Sequence, residues 1–318
     1  MNFIQRLKFF PESFYSIIMG LAGWSIATEK MTTLQKLPSI IPLSILIFTG
    51  ILFGIITLLL TTKVILYKEE IVKNFNHPIK ISFFPTASIS LLLLSIASSP
   101  FFPLAAQYLC YCGASLHIFL TIIIMKKWIR DTHYKIEHLN PAWFIPIVGN
   151  LLIPIAGIPH IHKEILWAFL SIGLIFWIIL MTIVMNRLFY HEPLTPKLLP
   201  TLFILIAPPA VGFISYVKIT GSVDSFAKIL YYFALFIALF LFSNITLFKH
   251  NTFYLSQWAF SFPLAALSIA SALMFHQTHY TFFKYVHFSF LGLVSMVILI
   301  LIGKTIHALI NKKICQED

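Results

Sequence analysis

Two pairs of closely spaced histidines are the residues of this sequence whose spacing could hold a metal ion. His276 and His279 lie three positions apart, so a helix would turn both imidazoles to one face, an arrangement that suits zinc. His160 and His162 form a second pair in a corresponding loop. Because no acidic residue or thiol stands beside His276 and His279 to complete a ligand set, we interpret them as interfacial side chains and predict no metal site.

The sequence also lacks the motifs by which many enzymes are recognised. It contains no pair of aspartates for a metal-bound diphosphate, no G-x-S-x-G, no H-E-x-x-H and no glycine-rich phosphate loop. Cys110 and Cys112 share one apolar segment, where an isolated C-x-C is more typical of packing than of metal binding. We therefore predict that the protein is not an enzyme and requires no cofactor.

The composition is typical of a membrane protein. Of 318 residues, 59% are hydrophobic and only 10% are charged, too few to cover the surface of a soluble protein of this length. Apolar runs of about 18 residues or more recur along the chain, as in membrane-spanning helices. We predict an all-α polytopic protein in which residues 1–318 form one transmembrane channel domain of ten helices. The predicted helices cover residues 11–28, 39–62, 78–98, 101–126, 141–159, 164–187, 199–218, 225–248, 254–275 and 283–310.

The basic residues predict the orientation of these helices. The net charge of +11 is spread over short loops, which favours membrane topology over a nucleic-acid partner. The two termini and the loops after the even-numbered segments hold 16 of the 22 lysines and arginines. By the positive-inside rule both termini are predicted to be cytoplasmic. A signal peptide over residues 1–27 is the alternative for the first segment, but similar segments recur along the whole chain.

Proline divides the segments into two classes. Interior prolines occur only in the third, fifth, seventh and ninth segments, as Pro85, Pro146, Pro154, Pro208, Pro209 and Pro263. A proline inside a membrane helix leaves a carbonyl unpaired, which is tolerated where the helix is buried in protein or lines a wet cavity. The alternation predicts five helical hairpins, with the odd-numbered helices forming an inner ring around a central pore and the even-numbered helices facing lipid.

The spans contain almost no ionisable side chains. Glu12 stands at the start of the first segment, and His117 is the one deeply placed histidine, which we interpret as a packing donor. A proton-coupled pump or Na⁺ symporter normally needs a carboxylate in the middle of the membrane, so the pattern favours passive conduction. The lack of acidic rings, together with the positive ends of broken helices, favours an anion.

Five stretches of the sequence resemble the tellurite-resistance/dicarboxylate transporter family, which includes bacterial TehA and the plant slow anion channels. These stretches are FPESFYSIIMGLAGWSIA at 10–27, NHPIKISFF at 76–84, NPAWFIPIVGNLLIPIAG at 140–157, DSFAKILYYFALF at 224–236 and WAFSFPLAALSIA at 258–270. The resemblance extends over essentially the whole chain. It implies five hairpins around a pore, small anions as the transported species, and a homotrimer embedded in lipid with one pore per subunit.

The resemblance also implies a gate. It places a phenylalanine across the pore on the ninth helix, which corresponds to Phe262 in WAFSFP. The neighbouring Pro263 would bend the helix beside this gate by disconnecting the carbonyl of Ala259. The further candidates for pore-lining or kink positions are Phe14, Gly20, Gly23, Phe84, Phe144, Gly149, Pro154 and Pro208.

These observations lead to a functional hypothesis. The protein is expected to be a multi-pass channel of the bacterial inner membrane that passes small inorganic anions such as chloride and nitrate down their gradient. The alternative is a transporter of C4-dicarboxylates or of tellurite and related oxyanions. Single-channel current would favour the first hypothesis, and saturable, proton-dependent flux would favour the second.

Overall fold

The computed structural model describes residues 6–248 and 252–316, and within these ranges it is all-helical, with no β-strand. The α-helices are α1 (Tyr15–Gln35), α2 (Ile40–Leu66), α3 (Lys68–Asn76), α4 (Thr86–Ser98), α5 (Pro103–Arg130), α6 (Ile145–Val148), α7 (Leu152–Gly157), α8 (Lys163–Tyr190), α9 (Ala207–Thr220), α10 (Ser225–Ser243), α11 (Ser261–Thr278) and α12 (Thr281–Ile310). The polytopic helical fold predicted from the composition is thereby confirmed. Lys249, one of the residues counted for topology, lies outside the described residues.

The odd-numbered spans differ from the even-numbered spans in how they begin. The even spans are the uninterrupted helices α2, α5, α8, α10 and α12. Each odd span begins instead with a stretch of 3₁₀-helix that passes into α-helix. These stretches are Glu12–Phe14, Lys80–Phe83, Pro141–Phe144, Leu199–Ile206 and Leu255–Phe260. Three further 3₁₀ segments are Gly149–Leu151, between α6 and α7, and Ile136–His138 and Ile245–Phe248, which follow even spans.

The prolines mark the points at which 3₁₀-helix becomes α-helix. Pro85 is the residue just before α4, Pro208 lies at the start of α9, and Pro263 is the third residue of α11. In the first turn of an α-helix the N–H that proline lacks would have no intrahelical partner, so proline costs little there. In these three spans the proline therefore lies at or beside the change of helix type.

The inner-helix contacts form a closed ring. Helix α1 packs against α4 and α11, α4 packs against α7, α7 against α9, and α9 against α11. Each inner helix also packs against the even span that follows it, which gives five hairpins. In the odd spans Lys80–Ser98, Leu199–Thr220 and Leu255–Thr278, 72–78% of the most apolar stretch is buried, against 28–39% in the even spans. The predicted inner and outer rings are confirmed.

The protein is a multi-pass membrane protein by helix length and composition. Eight helices of the described chain are long and apolar enough to cross a bilayer, and Pro141–Gly157 is a shorter apolar segment. Helix α1 has 21 residues but includes the polar run from Thr28 to Lys30 before it ends at Gln35, and it is not among the eight. The count of ten spans and the single channel domain over residues 1–318 stay predictions. Exposed apolar side chains such as Ile51, at 60%, face outward from the even helices, where lipid would cover them.

Candidate functional site in the axial cavity

A cavity of about 1250 Å³ opens at the N-terminal ends of the five odd spans. Its lining comes from every member of the inner ring. The residues that lie farthest along the inner helices and still line it are Met19, Ile89, Leu152, Val211, Phe262 and Pro263. All six are apolar, and we call this part of the cavity the apolar end. Nearer the opening the lining becomes polar, with hydroxyls such as those of Ser13, Ser16 and Thr86.

Phe262 forms part of the wall of the apolar end, and its ring is packed against α1. Only 9% of the residue is exposed. A Cβ atom built on Gly23 would lie 3.3 Å from Cδ2 of Phe262 and 3.1 Å from Cβ of Ala265. The close approach of α1 and α11 is therefore possible because residue 23 has no side chain. Gly20, one turn earlier, faces Ser261 and Trp258 in the same interface.

Gly149 lines the cavity on the fifth span and has a histidine from the outer ring behind it. A Cβ atom on Gly149 would overlap the imidazole of His117 and lie 2.9 Å from Ile89. The imidazole is fully buried, and its Nδ1 lies 2.8 Å from the hydroxyl of Ser88. His117 thus joins α5 to α4, in keeping with its interpretation as a packing donor, and it takes the space that a side chain on Gly149 would need.

The candidate residues divide into two groups by position. Phe262, Pro263, Phe144 and Gly149 line the cavity. The remaining candidates lie outside the lining of the described cavity and are Phe14, Gly20, Gly23, Phe84, Pro154 and Pro208. Their functional assignments stay predictions.

The candidates outside the lining pack within the protein. Phe14 stacks on Phe10 with ring centroids 4.2 Å apart, and Phe84 meets the edge of Phe75 at 4.9 Å. Pro154 is the third residue of α7. Among the membrane hydroxyls, Ser25 and Ser261 donate to the backbone carbonyls of Pro42 and Trp258. Hydroxyl bonds of this kind hold neighbouring helices or turns together.

The opening of the cavity carries a concentration of positive charge, which we call the basic mouth. Its six lysines are Lys8, Lys73, Lys80, Lys197, Lys304 and Lys313. The lining includes only two carboxylates, those of Glu12 and Glu70. Glu70 is paired with Lys8 at 3.3 Å. The lysines come from both ends of the chain and from four loops or helices, so sequence spacing alone did not indicate that they converge.

Glu12 is neutralised by a buried network beside the basic mouth. Lys63, which is 1% exposed, donates from Nζ to the Glu12 carboxylate at 2.8 Å and to the carbonyl of Phe10 at 2.7 Å. Asn74 of α3 donates to both Glu12 oxygens, at 3.1 and 3.2 Å. A buried ion pair is tolerated when its remaining hydrogen-bonding capacity is satisfied in this way. Among the described residues, both carboxylates of the cavity lining are therefore held in ion pairs.

The C-terminal turn completes the entrance. Arg6 donates from Nη2 to the carbonyl of Ile314 at 2.8 Å, which ties the turn to the N-terminal region. Cys315 lines the cavity next to this contact. Burial raises the pKa of its thiol to about 11, so the thiol is neutral near pH 7.

A family model described as SLAC1, voltage-dependent anion channel, matches residues 9–306 of this chain. The chain belongs to the voltage-dependent anion channel family. Hydropathy alone did not show which kind of polytopic protein carries the five hairpins, and the match to this family model does. The resemblance stated from the sequence motifs is confirmed by the same match.

The proteins similar to this chain include plant and bacterial proteins. S-type anion channel SLAH2 of Arabidopsis thaliana is 29% identical over 272 residues, which cover 82% of this chain and 52% of that protein. S-type anion channel SLAH3 of the same plant is 27% identical over 270 residues, covering 82% of this chain and 42% of SLAH3. The tellurite resistance protein TehA homolog of Haemophilus influenzae is 23% identical over 269 residues, which cover 84% of this chain and 81% of that protein.

The chain spans about half the length of the plant relatives that it matches. It covers most of the length of the bacterial relative. The names of these relatives describe channels or a resistance protein and no enzyme, which agrees with the prediction of a non-enzyme.

Proposed function

We propose that the protein is an anion-selective channel that passes small inorganic anions, chloride and nitrate, along the axis of the inner ring, with Phe262 as a steric gate. The observation that carries this proposal is the position of Phe262 at the apolar end of a cavity whose opening is basic. Membership of the voltage-dependent anion channel family supports the same reading.

The charge distribution supports anions over cations. The basic mouth has six lysines, and both of its carboxylates are held in ion pairs with Lys8 and Lys63. A ring of one charge sign raises the local concentration of the opposite ion. The odd spans also begin at this opening, so the positive ends of their helix dipoles lie towards an entering anion.

The surroundings of Phe262 support a gate. Its neighbours in the apolar end, among them Met19, Ile89 and Val211, offer no hydrogen bond to replace the hydration shell of an ion. A narrow apolar constriction of this kind excludes ions by dewetting, and an aromatic ring closes it sterically. Opening then requires rotation of one side chain.

The assembly and location belong to the proposal. We place the protein in a bacterial inner membrane with both termini in the cytoplasm, so that the basic mouth faces the cytoplasm. The homotrimer implied by the family resemblance would bury part of the apolar surface of the even helices, and lipid would cover the rest.

Planar-bilayer recording in chloride and nitrate tests the channel and its gate together. Phe262→Ala should raise the anion conductance strongly, because the ring that closes the apolar end is removed. Phe260→Ala is the matched control, since Phe260 lies outside the cavity lining and packs on Phe203 at 4.7 Å. Unchanged conductance in a well-folded Phe262→Ala protein would exclude Phe262 as the gate.

A transporter for C4-dicarboxylates, tellurite or related oxyanions is the second candidate. It is favoured by the relative named as a tellurite resistance protein homolog, whose sequence this chain covers over 81% of its length. Saturable, proton-dependent uptake into proteoliposomes would support the transporter. Ohmic single-channel current would exclude it.

A further inference from the structure

We propose that the basic mouth is a binding site for a soluble polyvalent phosphate, which enters the cavity along its axis and is stopped at the apolar end. A bound ligand of this kind would block the channel. Only the blocking effect rests on the proposed channel function. Binding itself depends on the lysines of the mouth and on the shape of the cavity.

The charge of the lining exceeds what a monovalent ion can balance. Six lysines and two glutamates line the cavity, which gives a net formal charge of four positive. The carboxylates are engaged by lysines, Glu70 by Lys8 and Glu12 by the buried Lys63. Lys73, Lys304 and Lys313 make no ion pair with any described residue, so one chloride would leave most of their charge uncompensated, whereas a compact anion with several charges would balance it.

Three of these lysines make no ion pair with any described residue and come from three separate elements. Lys73 belongs to α3, Lys304 to the last turns of α12, and Lys313 to the C-terminal turn. All three side chains are exposed. Lysines that converge on one cavity from separate elements can contact different phosphate groups of the same ligand.

The cavity also has the size that such a ligand needs. A volume of about 1250 Å³ is larger than a single hydrated halide requires and is comparable with the largest small-molecule sites. Thr195 adds a hydroxyl to the lining. At the other end, Phe262 and Val211 offer only apolar surface. A polyphosphate would lose its hydration there without compensation, so it cannot advance.

The ring geometry favours a soluble ligand over a lipid headgroup. The contacts between inner helices run without interruption from α1 through α4, α7, α9 and α11 back to α1. A phospholipid cannot reach the axis between helices that are in contact, and its acyl chains would remain in the bilayer. Access is therefore along the axis, from the aqueous side of the mouth.

Calorimetric titration of the purified protein with inorganic triphosphate tests the site directly, at constant ionic strength and with orthophosphate as the comparison. Triphosphate should bind at least about tenfold more tightly than orthophosphate. The triple variant Lys73→Gln, Lys304→Gln, Lys313→Gln should weaken triphosphate binding at least about tenfold, because each exposed charge contact contributes up to about fivefold. The control is Lys36→Gln, Lys163→Gln, Lys228→Gln, which removes three lysines from outside the cavity and should leave binding unchanged.

Three outcomes would overturn the proposal. Equal binding of triphosphate and orthophosphate at matched ionic strength would indicate general electrostatic attraction of anions and no specific polyphosphate site. Unchanged affinity in the triple mouth variant would place the ligand elsewhere. Binding of phosphatidylglycerol vesicles that depends on the three lysines, without triphosphate binding, would assign the mouth to lipid.

Recording of chloride current separates this proposal from the channel proposal. Triphosphate added on the side of the basic mouth should reduce the current of the Phe262→Ala channel reversibly, and addition on the opposite side should have no effect. Binding without any chloride current would refute the channel and leave the site intact. Chloride current with no triphosphate binding would refute the site and leave the channel intact.

Discussion

The aromatic ring of Phe262 lies beside Gly23, with its Cδ2 atom 3.3 Å from the position that a Cβ atom on residue 23 would take. The two residues belong to α11 and α1, which are neighbours in the inner ring. Any change at residue 23 is therefore transmitted to the side chain that we propose as the gate. This contact can be tested without altering the gate residue itself.

Gly23→Ala should lower anion conductance about fivefold, because the new methyl group at 3.3 Å from Cδ2 pushes the ring of Phe262 towards the axis. The measurement is macroscopic current per reconstituted protein. In the Phe262→Ala background the same change should have little effect, since no ring remains to be displaced. An equal reduction in both backgrounds would show that residue 23 acts independently of the gate.

Gly149→Ala should destabilise the protein by about 1–3 kcal/mol, because the added methyl group overlaps the imidazole of His117. Thermal unfolding in detergent measures the change. Gly292→Ala is the matched control, because a Cβ atom there has nothing within 4 Å. Combining Gly149→Ala with His117→Ala should cost less than the sum of the two single changes. Strict additivity would argue against the contact.

Lys63→Met should destabilise the protein by about 3–5 kcal/mol, because it leaves the buried Glu12 carboxylate without its cation. The double variant Glu12→Gln, Lys63→Met should recover part of this loss, since no uncompensated charge remains. Exposed Lys68 provides the control, and Lys68→Met should change stability by less than about 0.5 kcal/mol. Monodisperse yield after detergent extraction and thermal unfolding are the measurements. A double variant less stable than Lys63→Met would contradict this account.

Pro263→Ala should leave stability within about 1 kcal/mol, because the proline lies in the first turn of α11, where proline costs a helix little. Open probability should change, because the residue adjoins Phe262 at the apolar end. The permeability ratio of chloride to nitrate should stay constant. A changed permeability ratio with constant open probability would contradict the role in gating that we assign to Pro263.

The Cys315 thiol should react with iodoacetamide only at high pH. Only the thiolate is reactive, and burial raises the pKa of this group to about 11, so the rate should rise towards pH 11 in the folded protein. In denaturant the rise should occur near the ordinary pKa of about 8.5. Mass spectrometry of the C-terminal peptide follows the reaction, and Cys315→Ser is the blank. A folded-state profile centred near 8.5 would mean that the thiol is exposed.

The alternation of inner and outer helices could be predicted from the sequence because proline is restricted to certain positions by its missing N–H. The change from 3₁₀-helix to α-helix could not be predicted. Pro208 and Pro263 were interpreted as interruptions within a helix, whereas they lie in the first turns of α9 and α11. Helix type at a span's start depends on packing against the neighbouring spans, which local sequence does not contain.

The site was only partly predictable for a similar reason. The family motif indicated Phe262, but its contact with Gly23 depends on how α1 and α11 are rotated about their axes. The lysines of the basic mouth were used only to predict membrane orientation, because residues such as Lys8 and Lys313 stand at opposite ends of the chain. Convergence of such residues is a property of the closed ring and has no signature in the sequence.

The number of inner helices also sets the width of the passage. Helices packed at interaxial distances of about 9 Å at the corners of a regular pentagon have their axes about 7.7 Å from the centre. Subtracting a helix radius of about 5 Å leaves a bore of about 2.7 Å in radius. Four helices would leave about 1.4 Å and six about 4 Å by the same geometry. Five-fold packing thus gives a bore that one phenylalanine ring is wide enough to close.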